Sequence, residues 1–168
     1  IDRLSPFRGL QICGEGENTR PIPPITPDKI AKVKSFLIRH NTPASLVGLI
    51  QLNTGLRISE PTLARLEDLV LEHEIPHLWV RKNRLTDRKT KASIRAVPLV
   101  GVSLDAAKEL QARAIRLNSP WLLPQYAKEF GGCSCSAILN KNLRPFEFRS
   151  HMFRHAFIDR LKARNDIP

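Results

Sequence analysis

The sequence predicts an α+β domain that is mainly helical and carries one small antiparallel sheet. Most apolar residues recur three or four apart, in segments that open on Ser, Thr or Pro and stop at Gly or Asn. Only the stretch from His77 to Leu99 changes to the alternation of strands. At 168 residues, 42% hydrophobic and 26% charged, the chain has the makings of one globular domain with a real core. No apolar run approaches the ~18 residues that a membrane helix needs, and the N-terminus does not read as a signal peptide. A cytoplasmic protein without a membrane partner is therefore expected.

Residues 1–25 carry Gly9, Gly14 and Gly16, then Pro21, Pro23 and Pro24, with no apolar period, and read as a linker or arm. Residues 26–168 form the domain. Its first helix opens at Thr26, which can cap, with Pro27 in the first helical position and Asp28 at the positive end of the helix dipole. Ile30, Val33, Phe36 and Leu37 give its stripe, which ends near His40 and Asn41. Pro43 opens a second helix through about Asn53, with Leu46, Leu49, Ile50 and Leu52 apolar, stopped by Thr54 and Gly55. A further helical piece is expected from Ile58 to Leu66, with Pro61 in its first turn.

Leu78, Trp79 and Val80 then form a strand, and Ile94 to Leu99 alternate as its partner until Pro98, with a basic turn between. Ser103 can cap a helix bearing Leu104, Ala107, Leu110, Ala114 and Leu117. Residues 119–132 read as a loop, 134–143 as a short helix, and 150–163 as a last helix with Phe153, Phe157 and Leu161 as its buried stripe.

The charge points to a partner. Lys and Arg number 27 against 16 Asp and Glu, a net charge of +11. A summed field of that size favours a polyanion, with nucleic acid first in line. The excess is uneven: +3 over residues 1–84 and +8 over residues 85–168. It is densest at Arg81, Lys82, Arg84, Arg88, Lys89, Lys91 and Arg95, which reads either as a solvated face or as a phosphate-binding turn. Cys13, Cys133 and Cys135 form no CxxC pair and are expected to be reduced thiols.

Two clusters can carry chemistry. In Thr54-Gly-Leu-Arg-Ile-Ser-Glu60, a left-handed glycine would turn the chain and set Arg57 at a junction. Glu60, three residues on, can hold its guanidinium, either as a structural ion pair or to ready it for a phosphate. His151 and Arg154, three apart on a helix, share a face and offer a proton-handling group beside an oxyanion clamp. His155 follows His151 by four, but the glutamate of an HExxH zinc motif is absent, so no metal is expected.

Taken together, Thr54-Gly-Leu-Arg-Ile-Ser-Glu60, Arg88-Lys-Thr-Lys-Ala-Ser-Ile-Arg-Ala-Val-Pro-Leu99 and His151-Met-Phe-Arg-His155 resemble, in order and spacing, the catalytic domain of the tyrosine recombinase (phage integrase) family. The resemblance covers residues 21–168. It implies site-specific recombination of double-stranded DNA, integration or excision, through a 3′-phosphotyrosyl intermediate and without a cofactor, by a homo-oligomer (a tetramer on DNA) in the complete protein. A bacterial or phage-encoded mobile element is its expected setting.

The resemblance assigns Arg57 and Arg154 to the non-bridging oxygens of the scissile phosphate, where charge grows in the transition state. His151 would donate to the phosphate or move a proton. Lys89 would protonate the leaving 5′-oxygen, with Lys91 as the alternative register. Glu60 and His155 would support these residues, and Arg81, Lys82, Arg84, Arg88 and Lys91 would hold the DNA backbone. Asp68 matches an acidic position of the family.

Leu66 stands where a tryptophan is common, and Pro61 replaces an aliphatic residue, which marks a divergent member. The family's nucleophilic tyrosine lies downstream of HxxRH, whereas this chain ends 14 residues after Arg154 and its sole tyrosine, Tyr126, lies upstream. The chain also does not begin with Met, so a fragment cut off before its nucleophile is expected, with Tyr126 packed or exposed rather than reactive. Two other readings remain: a non-catalytic DNA-binding module of the same fold, and a type IB topoisomerase-like enzyme.

Overall fold

A computed structural model describes residues 25–86 and 94–163. The arm over residues 1–24 and the stretch with Arg88, Lys89 and Lys91 lie outside the described residues. Among the described residues, six helices, α1 (Pro27–His40), α2 (Pro43–Thr54), α3 (Ser59–Thr62), α4 (Val102–Arg116), α5 (Gly131–Leu143) and α6 (Ser150–Lys162), build one core, with a three-stranded sheet at its side. The predicted fold class is the one observed.

The centre of the fold is α2. Every residue from Ala44 to Leu52 is buried, and the helix packs against α1, α4, α5 and α6. A helix apolar on all sides is stable only where neighbours cover all of it. The one long polar side chain in that run is Gln51, 2% exposed. Thr42 caps α2 by accepting from the Ser45 N–H at 3.3 Å, and Thr26 caps α1 by accepting from the Lys29 N–H at 3.2 Å, as its spacing predicts.

The sheet is antiparallel in the order β1 (Leu69–Val70), β2 (His77–Val80), β3 (Arg95–Pro98). Trp79 pairs with Ala96 and Val80 with Arg95, which fixes the register of the expected hairpin. The short β1 has no signal of its own in the sequence, since two residues are too few to show a period.

Several expectations are corrected. The helix expected over residues 58–66 is a single turn, α3, followed by a 3-10 turn at Leu66–Asp68. Asp68 is buried there and accepts from the Arg65 N–H at 2.9 Å, which closes the turn. Ser103 does not cap α4. The helix begins at Val102 behind Gly101, and the Ser103 hydroxyl donates to the Val100 carbonyl at 2.8 Å.

Leu117 and Leu161 fall outside their predicted stripes, at 66% and 39% exposed. The buried face of α6 is Ser150, Met152, Phe153 and Ala156. The region expected to be a loop at 119–132 carries Trp121, Leu122 and Leu123 in the core, and α5 starts three residues early, at Gly131. Among the described residues, no helix is long and apolar enough to cross a membrane.

Candidate functional site

The site is assembled where the end of α2 meets α6. Thr54 donates its hydroxyl to the Ile50 carbonyl at 2.7 Å and accepts from the Leu56 N–H at 3.3 Å. Gly55 takes φ +63° at the C-cap, its N–H bonded to the Gln51 carbonyl at 2.9 Å. A side chain there would be doubly penalised, because its Cβ would lie 2.5 Å from Cδ1 of Phe157 on α6. Leu56 then anchors in the core at 0% exposure and Arg57 is thrown outward. The turn thus converts a buried helix into an exposed arginine within two residues.

From the other side, α6 is pinned at its start by the Ser150 N–H donating to Asn140 Oδ1 on α5 at 2.8 Å. With Met152, Phe153 and Ala156 buried, His151 and Arg154 lie on the flank that meets the turn. Arg154 Nη1 donates to the Gly55 carbonyl at 2.6 Å, which ties the two motifs together across 99 residues of sequence. The His151 and His155 rings meet edge to face with centroids 4.6 Å apart, so His155 props the exposed His151 from the partly buried side.

Arg57, His151 and Arg154 line one cleft of about 370 Å³, together with Gln51, Leu56, Ile58, Ser59, Ser136 and Ser150. Its far wall is a polar chain in which Asn140 Nδ2 donates to Ser136 Oγ at 3.3 Å and Ser136 meets Ser150 Oγ at 3.4 Å. Two guanidinium groups, an imidazole and two hydroxyls facing one small space can surround a tetrahedral oxyanion.

A larger hollow, about 680 Å³, is lined by Lys141, Arg144 and Arg149 and reaches Asn140. It holds none of Arg57, His151 and Arg154, so the smaller cleft, where the two motifs meet, is the better candidate.

Glu60 does not hold the Arg57 guanidinium as the sequence suggested. It is buried, accepts from the Arg57 backbone N–H at 2.8 Å and pairs with Arg95 on β3 at 3.1 Å. A carboxylate on a one-turn helix points back along the chain and reaches the nearby N–H more readily than an outward guanidinium. Glu60 therefore fixes the turn, and among the described residues the Arg57 guanidinium has no acceptor.

Of the basic turn, Arg81 is drawn to acidic neighbours, pairing with Asp68 and with Glu67 at 3.4 Å. Arg84 sits over the Trp121 ring at 5.1 Å, while Lys82 is exposed. Lys89, Lys91 and Arg88 fall outside the described residues.

Tyr126 packs in the core at 7% exposure. Its hydroxyl is pushed above the ordinary phenol value, mostly by desolvation and then by nearby Cys135, and it is not part of the cleft wall. Cys133 and Cys135 are free thiols. Among the described residues, no group of three or more His, Cys, Asp or Glu side chains is placed to hold a metal ion.

Sequence reasoning passed over Gln51, Ser136 and Ser150 as site residues, and read Arg95 only as part of the basic stretch. Gln51 carried a signal, being the one long polar side chain in the run from Ala44 to Leu52. The pairing of Arg95 with Glu60 depends on sheet position and had none.

The architecture, with an arginine after the α2 turn facing a His-Arg helix, is the fold of the tyrosine recombinase catalytic domains. Solved structures with this fold include the Tn1549 transposon integrase in complex with transposon right end DNA, at a TM-score of 0.66 and 21% identity, matched over 90% of this chain and 56% of that one. The same integrase in complex with circular intermediate DNA gives 0.62 and 20%, over 88% and 56%. The XerA recombinase gives 0.65 and 15%, over 89% and 54%. The chain thus spans little more than half the length of these structures. No family model and no curated protein matches the sequence.

Proposed function

We propose that this chain is the DNA-binding and phosphate-gripping part of a site-specific tyrosine recombinase, an integrase of a bacterial or phage-borne mobile element acting on DNA in the cytoplasm. The observation that carries it is the convergence of Arg57, His151 and Arg154 on one cleft, in a chain of net charge +11. In this reading the scissile phosphate enters the cleft, the two arginines neutralise its non-bridging oxygens, and His151 donates a hydrogen bond or carries a proton. Lys89, or Lys91 two residues on, serves the leaving 5′-oxygen. Arg81, Lys82, Arg84, Arg88 and Lys91 grip the duplex backbone.

Strand cleavage also requires a tyrosine, and Tyr126 does not reach the cleft. The nucleophile of the proposed reaction therefore comes from outside these 168 residues, in an assembly of several copies on DNA. The chemistry at the phosphate is positional and electrostatic, and no cofactor enters it.

Two measurements test the reading. Duplex DNA binding by this chain should weaken steeply with salt, by about a thousandfold between 50 and 200 mM if six or more phosphates are contacted. Replacing Arg57 or Arg154 with Ala should leave most of that slope intact. The complete protein should trap a covalent adduct on a nicked suicide substrate, and the same replacements should abolish it. A salt-insensitive complex would overturn the backbone-gripping reading. A complete protein that binds its site and forms no adduct would favour the second reading, a binding module of the same fold, for which the buried Tyr126 already speaks.

A further inference from the structure

The cleft holds an acceptor with nothing to accept. Gln51 is 2% exposed, and its Nε2 donates to the Leu56 carbonyl at 3.0 Å. Only the NH2 group can face a carbonyl, so the other amide atom is the oxygen, whatever the electron count of the two. That oxygen, Oε1, is buried and has no hydrogen-bond partner, and Gln51 lines the cleft with Arg57 and Arg154. An unpaired buried carbonyl costs about 1–3 kcal/mol, so its retention in the buried run of α2 calls for a use.

The available donors narrow the choice. Arg154 is held at the turn by Nη1 on the Gly55 carbonyl, and in that position none of its other N–H groups reaches Oε1. Asn140, Ser136 and Ser150 are linked to one another. The Arg57 guanidinium has five N–H donors and, among the described residues, only the backbone of Arg57 is hydrogen-bonded, through Glu60. A phosphate oxygen cannot pair with Gln51 Oε1, since both are acceptors.

We infer that Gln51 is a positioning residue for Arg57: its Oε1 accepts one guanidinium N–H when Arg57 turns into the cleft to meet an oxyanion. A neutral amide suits this better than a carboxylate. It orients the guanidinium and leaves the whole positive charge for the anion, whereas a carboxylate would compete for it. The same amide braces the turn through Leu56, so helix α2 sets both the place and the direction of Arg57. This inference rests on the phosphate-gripping reading and adds the residue that aims the grip.

The test uses the 168-residue chain, sulfate as the anion, and the side-chain Nε–H signals of Arg57 and Arg154 in nitrogen-15 NMR. Sulfate stays a dianion from pH 5 to 8, so any change of affinity over that range comes from the protein and not from the probe. Each variant is therefore compared with the native chain at the same pH. In the native chain both arginine signals should shift along one binding curve.

Gln51→Met should weaken sulfate binding about tenfold, the usual scale of a hydrogen bond to a charged group, and should blunt the Arg57 response more than that of Arg154. Gln51→Glu should weaken binding further at pH 8 and recover toward native below about pH 5, where the protonated carboxyl is an isostere of the amide. A purely structural brace would move both arginines alike in Gln51→Met. That result, or native affinity in Gln51→Met, overturns the inference while leaving the phosphate reading intact, provided Arg57→Ala abolishes the response. If Arg57→Ala binds sulfate as the native chain does, the phosphate reading fails and this inference with it.

Discussion

Replacing Gly55 with alanine should damage the protein through two separable costs. The first is conformational: at φ +63° a β-carbon crowds its own backbone, worth about 1–2 kcal/mol. The second is steric, because the new Cβ would sit 2.5 Å from Cδ1 of Phe157, and forcing α6 away from a packed core costs a further ~1–3 kcal/mol. Together they amount to about 2–5 kcal/mol out of a stability of ordinarily 5–15.

In urea, with a slope near 2 kcal/mol per molar, the midpoint should fall by about 1–2.5 M. The two costs come apart in a double-mutant cycle with Phe157→Ala. In that background the ring is gone, so Gly55→Ala should cost only the conformational part, and the coupling should be about 1–3 kcal/mol. A Gly55→Ala protein within ~0.5 kcal/mol of native, or a coupling near zero, would refute the account of this turn. The consequence reaches the cleft as well, since Phe157 and Arg154 share α6 and the Gly55 carbonyl is the Arg154 acceptor.

Glu60→Ala should destabilise by about 2–3 kcal/mol, because it leaves the Arg57 N–H and Arg95 without their shared buried acceptor, while Glu60→Gln keeps the N–H bond and should lose about half as much; denaturation midpoints of the two variants decide it. Burial pushes the Cys135 thiol up to about 11, against a bonding contribution from Thr62 that lowers it. At pH 8 a thiol reagent followed by fragment-ion mapping should label exposed Cys133 and spare Cys135.

The Cys135 shift has a thermodynamic counterpart. A folded value raised above the unfolded one contributes stability that is complete below about pH 9 and lost as pH rises toward 11, so the native chain should lose stability over that window more steeply than Cys135→Ala.

Much of the molecule was legible in the sequence because local rules govern it. The cap at Thr26, the prolines that open α1 and α2, the glycine stop at Gly55 and the alternation at His77–Val80 each state their structure within a few residues. The three motifs also single out Arg57, His151 and Arg154 by residue type and spacing. Boundaries failed where packing overrides propensity: Leu117 and Leu161 keep the period of their helices but overrun the core that would cover them, and Trp121 to Leu123 are buried without any period.

Glu60 shows the same limit at the site. Its spacing from Arg57 was right, yet spacing along the chain does not tell a backbone N–H from a guanidinium, nor reveal Arg95 arriving from β3. The sequence by itself determined the helical elements, the net charge and the residue types that can meet an oxyanion. Only the tertiary structure decided that Arg154 binds the Gly55 carbonyl, that Tyr126 is walled into the core, and that Gln51 in the buried run of α2 faces the arginines. Those facts depend on which surfaces meet across scores of residues, and such contacts are set by the packing of whole elements rather than by any local pattern.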